Sequence, residues 1–132
     1  MTEEKTQMVD LLKASKQKPT IIKNHSKKGF LVDKKLYNHS IIINNFCVLK
    51  WDLNNNVIQE SDFYFLEGQE KFPELLLIGV GKKINDPFFN IRSKMSKLSI
   101  PVEIMSTSSA CRTWNVLLCE GRNLLACIKN EY

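Results

Sequence analysis

Residues 73–81, PELLLIGVG, restrict the fold more than any other stretch of the chain. From Leu75 to Ile78 every side chain is large and apolar, with no polar alternation, so the strand they form needs cover on both faces. Such a strand lies inside a sheet that has a layer on each side. The residues that follow supply those layers. Asp86-Pro87 is an N-cap followed by a proline suited to the first helical position. Phe88, Phe89, Ile91, Met95 and Leu98 then recur as one apolar helical face. IPVEIM is a second strand, Ser106 to Cys119 a second helix, and NLLACI a last strand. Strand–helix–strand–helix–strand predicts an α/β fold with a largely parallel sheet.

Upstream, from Thr20, the pattern is that of short strands. TIIKNH and GFLVD are joined across Lys27-Lys28-Gly29, and SIIIN and CVLKW flank Asn44-Asn45, residues that tolerate tight hairpin turns. A further turn is expected at Asn54-Asn55-Asn56, and Trp51 is a candidate core anchor. Before Pro19 there is one short amphipathic piece, Met8, Val9, Leu11 and Leu12, too little for a helix that is stable alone. The expected organisation is therefore a flexible lead-in over residues 1–19 and a single α/β domain over 20–132. That domain has an N-terminal β-meander, a mixed sheet between layers, and two main helices at about 87–98 and 107–120. A chain of 132 residues, 43% hydrophobic, suits one such core.

Several function classes are excluded on composition. No apolar run reaches the roughly 18 residues of a membrane span. The start has Glu3, Glu4 and Asp10 and lacks an apolar h-region, so neither a secretory signal nor a transit peptide is expected. The expected compartment is a bacterial-type cytoplasm rather than the mitochondrial matrix, with reduced cysteines. Cys47, Cys111, Cys119 and Cys127 lack metal-site spacing, and neither His25 nor His39 flanks them, so no metal is expected. The net charge of +5 is concentrated in residues 1–50, with ten lysines against four acids. Those lysines are scattered rather than interleaved with aromatic residues, which argues against nucleic acid. Gly79-Val80-Gly81 is not a dinucleotide fingerprint, because the third glycine position holds Ile84 and the helix signal begins only at Asp86. No cofactor is expected. The glycines suit a tight strand exit beside another backbone.

The segment STSSACRTWNVLLCEGR, residues 106–122, most resembles chemistry. Ser106, Thr107, Ser108 and Ser109 are all competent N-caps, and Gly121 stands where a left-handed residue ends a helix. Cys111 in the first turn has two readings: a nucleophile activated by the helix dipole and Arg112, or a small buried residue under the sheet. The second is favoured, since no base can be placed beside it. Asn115 is a mid-helix amide among apolar neighbours and must bond a loop or line a pocket. The expected partner is the Gly79–Gly81 loop. Glu120 opposes the helix dipole and Arg122 suits it, which suggests an ion pair.

Those residues carry a resemblance. Glycine-x-glycine after an apolar strand, then a helix, then PVEIMSTSSACRTWNVLLCEGR, is similar to the small-domain family containing the mitochondrial NADH dehydrogenase (complex I) assembly factor three. The match covers roughly residues 20–129, with Gly29-Phe30 and Val48-Leu49-Lys50-Trp51 also fitting. Gly79, Gly81, Ala110, Thr113, Asn115, Leu117, Glu120, Gly121 and Arg122 match the family pattern position by position. Trp114 stands where a tyrosine is usual, Ser108-Ser109 replace a smaller pair, and Cys111-Arg112 is similar to the bacterial branch. The resemblance implies a compact α/β fold with no established enzymatic activity. It also implies an assembly-type role through protein partners of respiratory or membrane-associated machinery. Gly79, Gly81, Thr107, Cys111, Arg112, Thr113, Asn115, Glu120 and Arg122 form the candidate pocket or structural motif, with no catalytic residue assigned. The alternative is a small-molecule or enzymatic site at the strand ends using Cys111, Arg112 and Asn115.

Overall fold

Strand periodicity sorts the buried side chains onto two faces of a five-stranded sheet. The computed structural model describes residues 19–53 and 57–132. Its strands are β1 (Ile22–Ser26), β2 (Gly29–Val32), β3 (Lys35–Tyr37), β4 (Ile41–Asn44), β5 (Val48–Lys50), β6 (Leu75–Gly79), β7 (Val102–Met105) and β8 (Leu124–Ile128). Its helices are α1 (Phe89–Lys97) and α2 (Thr107–Leu118), with a 3-10 helix at Glu60–Leu66. The large sheet has the order β5-β4-β8-β6-β7, in which β6 runs parallel to both β7 and β8 while β4 is antiparallel to β8 and β5.

The strand order explains the layers. From β6 the chain crosses to β7 on one side, and from β7 it returns past β6 to β8. Two crossovers of the same hand in opposite directions put their helices on opposite faces. Leu76, Ile78, Leu125 and Cys127 accordingly pack with Ile91 and Met95 of α1 and with Phe63, Phe65 and Leu66 of the 3-10 helix. Leu77, Leu124, Ala126 and Ile128 pack with Ala110, Cys111 and Trp114 of α2. Every residue of β8 is buried, as a central strand covered on both faces requires.

The α/β class and the mixed sheet are as expected. The meander divides. β1, β2 and β3 form a separate antiparallel sheet, whose Ile22, Phe30 and Val32 join the α2 face of the core, while β4 and β5 enter the large sheet. Trp51 is buried and donates its indole N–H to the Asp62 carbonyl at 3.1 Å, anchoring the 3-10 helix. The first helix begins two residues later than Pro87: Asp86 Oδ1 accepts the Phe88 N–H at 2.6 Å, and Phe88 adopts φ 55° ahead of the helix. The Asp86 carboxylate thus closes a turn rather than capping the helix itself. The expectations for the lead-in over residues 1–18 and for the turn at Asn54-Asn55-Asn56 lie outside the described residues.

Candidate functional site

Helix α2 opens directly from β7, at the C-terminal ends of the parallel strands. Ser106 is its N-cap, with Oγ accepting the Ser109 N–H at 3.3 Å. Thr107, fully buried, ties three segments together. Its hydroxyl accepts the Gly81 N–H at 2.9 Å and donates to the Lys129 carbonyl at 2.6 Å, while its own N–H reaches the Gly81 carbonyl at 2.8 Å. Gly81 makes the bend after β6 with φ 104°. Gly79 has a different reason. A Cβ there would lie 3.0 Å from Ala110 Cβ, 3.0 Å from Ile128 Cγ2 and 3.2 Å from Thr107 Cα, so the glycine is what lets α2 rest on the sheet.

Farther along, α2 holds the small sheet. Trp114, fully buried, donates its indole N–H to the Thr20 carbonyl at 2.8 Å. Asn115 forks onto one residue: Oδ1 accepts the Ile22 N–H at 2.9 Å and Nδ2 donates to the Ile22 carbonyl at 2.8 Å. The partner expected from the sequence, the Gly79–Gly81 loop, is corrected. That loop is served by Thr107, and Asn115 acts as a one-residue strand neighbour for β1. Loss of this fork leaves a half-buried N–H and C=O unpaired, so Asn115→Ala should lower stability by about 1–3 kcal/mol in denaturant unfolding.

Glu120 and Arg122 are not at the strand ends with the glycines. They stand at the other end of α2, where the chain enters β8. Their ion pair spans 3.5 Å with both side chains nearly half exposed (Glu120 49%, Arg122 44%), so solvent screens it. The Arg122 carbonyl, not its guanidinium, makes the cross-chain contact, accepting Asn45 Nδ2 at 2.8 Å. The ion pair expected from the sequence is present, but so exposed a pair leaves the Arg122 guanidinium little weight in the fold. Arg122→Ala should stay within about 0.5 kcal/mol of the parent protein in the same unfolding assay that reads Asn115→Ala. Thr113 is half-buried on α2 and Arg112 exposed, the latter folded back onto Ser108 Oγ (2.8 Å) and Ser109 Oγ (3.3 Å) of its own helix.

Cys111 is buried in the face that α2 turns to the sheet. Burial chiefly, with the nearby Glu131 carboxylate, pushes its thiol up to about 12, and Arg112 offsets this in part. A thiol held protonated is a poor nucleophile. Burial also pushes the Cys127 thiol well up. At neutral pH both thiols are protonated in the folded and unfolded chains, and stability is unaffected by them. Above the ordinary value of 9.0 the unfolded Cys111 ionises while the folded one stays protonated, so stability falls until about pH 12. Urea midpoints should decline from about pH 8.5 to about pH 11, and Cys111→Ala should flatten part of that decline.

Along one side of α2 lies a groove of about 420 Å³. Its walls are the outer edge of β1, the α2 residues Ser108, Cys111, Arg112 and Asn115, and the terminal Glu131 and Tyr132. His25 lies in this groove although no sequence signal placed it near α2. Its ring stacks on Phe30 at 4.2 Å, and its nitrogens face Asn130 Oδ1 (3.0 Å) and Glu131 Oε1 (3.7 Å). Partners about a hundred residues apart leave no local trace. Among the described residues no group of three or more His, Cys, Asp or Glu could hold a metal ion.

The family described as "Protein of unknown function (DUF498/DUF598)" matches residues 22–128. The chain belongs to that family. A "13 kDa major membrane protein" of Francisella tularensis is 31% identical over 122 residues, covering 92% of this chain and 98% of that protein. NADH dehydrogenase (ubiquinone) 1 alpha subcomplex assembly factor 3 of Danio rerio is 26% identical over 118 residues, 86% of this chain and 66% of that protein. The human assembly factor of that name is 24% identical, covering 86% of this chain and 62% of its own length. The chain thus spans less than two thirds of these assembly factors. Among solved structures, an outer membrane protein from Bartonella henselae superposes with a TM-score of 0.75 at 26% identity, over 86% of this chain and 96% of that one. A Bordetella pertussis protein described as an Mth938-like domain gives a TM-score of 0.69 at 19% identity, over 85% of this chain and 86% of that one, which shows a shared fold alone. No helix among the described residues is long and apolar enough to cross a membrane.

Proposed function

We propose that this DUF498/DUF598 protein is a non-catalytic, assembly-type factor that binds protein partners of membrane-associated respiratory machinery from the cytoplasm. One observation carries the reading. The residues that resemble chemistry are engaged inside the fold, while apolar surface is left over on the opposite face of the sheet. Thr107, Trp114 and Asn115 hold Gly81, Lys129, Thr20 and Ile22, and Cys111 is a buried protonated thiol. On the α1 face Phe89, 74% exposed, and Val57, 55% exposed, line one groove, whereas the exposed Val116 of α2 lines neither groove. Large apolar side chains left exposed beside a groove serve association rather than stability. Similarity to the complex I assembly factors over most of this chain supports the same role.

The test is made in cells that carry the gene. Deleting it should reduce assembled multi-subunit NADH dehydrogenase on native gels, without changing turnover per assembled complex. An undiminished amount of complex contradicts the reading. The alternative, a small-molecule or enzymatic site using Cys111, Arg112 and Asn115, has the groove beside β1 in its favour. It also requires Asn115 to release Ile22, and Cys111 to ionise against its surroundings.

A further inference from the structure

The apolar surface on the α1 face has a definite shape and charge. The 3-10 helix and α1 pack side by side, and Lys94 Nζ reaches Glu67 Oε1 at 2.6 Å between them. A groove of about 670 Å³ opens between the start of the 3-10 helix and the start of α1. Its apolar lining comes from Val57, Ile58, Phe88, Phe89 and Ile91. The charged residues that line it are Glu60 and Asp86, both acidic, in a chain whose net charge is +5. Among the described residues no cation lines the groove itself: Lys94 is held on Glu67, and Arg92, whose Nε donates to the Pro87 carbonyl at 3.0 Å, stands at the edge between Asp86 and Phe88.

Phe88 adds a second, independent observation. It takes φ 55°, a left-handed conformation that a bulky side chain rarely adopts. The Asp86 turn and the burial of the Phe88 ring enforce it. The consequence is that two adjacent phenylalanines diverge: Phe88 lies in the core and Phe89, the first residue of α1, projects into solvent. Backbone strain held at a groove lip is a pointer to function.

We infer that this groove receives an amphipathic segment of a partner protein whose large apolar side chains are flanked by lysine or arginine. The inference rests on the protein-partner reading given above and names the surface and the chemistry. Exposed Phe89 and Val57 cover the partner's apolar side chains as a helix-in-groove contact does, and Glu60 and Asp86 select positive over negative flanks.

Two synthetic helical peptides of about 18 residues, with leucines at i, i+3, i+4 and i+7, test it; one carries lysine and the other glutamate at every polar position. Each is titrated into the labelled full chain and followed by amide NMR shifts. The lysine peptide should shift Val57, Ile58, Glu60 and Phe89–Ile91 saturably, and added salt should weaken it. The glutamate peptide should bind roughly ten-fold more weakly or not at all. Phe89→Ser, at an exposed position that leaves the core intact, should weaken the lysine peptide about ten-fold. Glu60→Gln with Asp86→Asn keeps the turn acceptor of residue 86 and should remove the preference between the two peptides. Equal binding of both peptides by the parent protein, shifts centred on the β1–α2 groove, or an indifferent Phe89→Ser variant would overturn the inference. So would concentration-dependent shifts of the same amides without peptide, which would make the occupant a second copy. Loss of assembled complex in the deletion strain reads the partner role alone, so the two failures are distinguishable.

Discussion

A Gly29→Ala variant should lose about 3 kcal/mol or more, and its melting transition should broaden or vanish. Gly29 has φ 119°, a region L residues avoid, and a Cβ there would lie 2.2 Å from the Tyr37 carbonyl oxygen and 2.7 Å from Asn38 Cα. Both are backbone atoms at the end of β3, so the clash cannot be relieved by a rotamer change. Either the Phe30–Tyr37 register opens or β1 and β2 move off α2. Gly121→Ala is the control. Gly121 also has positive φ, 71°, but nothing stands within 4 Å of its missing Cβ, so about 1 kcal/mol of backbone strain is all that substitution should cost. Equal losses in the two variants, read by calorimetry, would show that the contact with β3 does not matter.

Trp114→Ala should cost about 3–5 kcal/mol, a large part of the roughly 5–15 kcal/mol that holds a domain of this kind together. Trp114 is fully buried between α2, the small sheet and the large one, and its N–H satisfies the Thr20 carbonyl. The alanine leaves a cavity and an orphaned buried acceptor. Trp114→Phe separates the two effects, because it keeps most of the ring volume and loses only the hydrogen bond. It should retain a cooperative transition at reduced stability. A Trp114→Ala protein within about 1 kcal/mol of the parent would mean that the small sheet is not held through α2.

The parts of this fold that were legible in the sequence are those with local signals. The unbroken run at Leu75–Ile78 marked the central strand, and Ser106 and Gly121 bracketed α2 closely. β3 was missed because Lys35-Leu36-Tyr37 is short, with two of its three residues exposed, so it has no apolar alternation. The 3-10 helix was missed because Phe63, Phe65 and Leu66 fit neither the helical nor the strand period. The start of α1 was placed early, since an Asp-Pro pair reads equally as a cap or as a turn before a left-handed residue. In the candidate site, Cys111 and Asn115 were recognised as residues needing an explanation, while Thr107 was read only as one of four possible N-caps and its bonds to Gly81 and Lys129 were not foreseen. Asn115 bonds Ile22, 93 residues away, and His25 meets Asn130, 105 residues away. Side chains that clasp distant strands leave no spacing to read.

The central claim is that the α2 motif holds the fold together and presents no activated nucleophile. Alkylation of the native full chain, resolved cysteine by cysteine by mass spectrometry over a range of pH, tests it most directly. Exposed Cys119 should label first near neutral pH, with buried Cys111 and Cys127 protected until alkali or denaturant opens the fold. Labelling of Cys111 ahead of Cys119 at or below neutral pH would contradict the account and restore the strand ends as a reactive site.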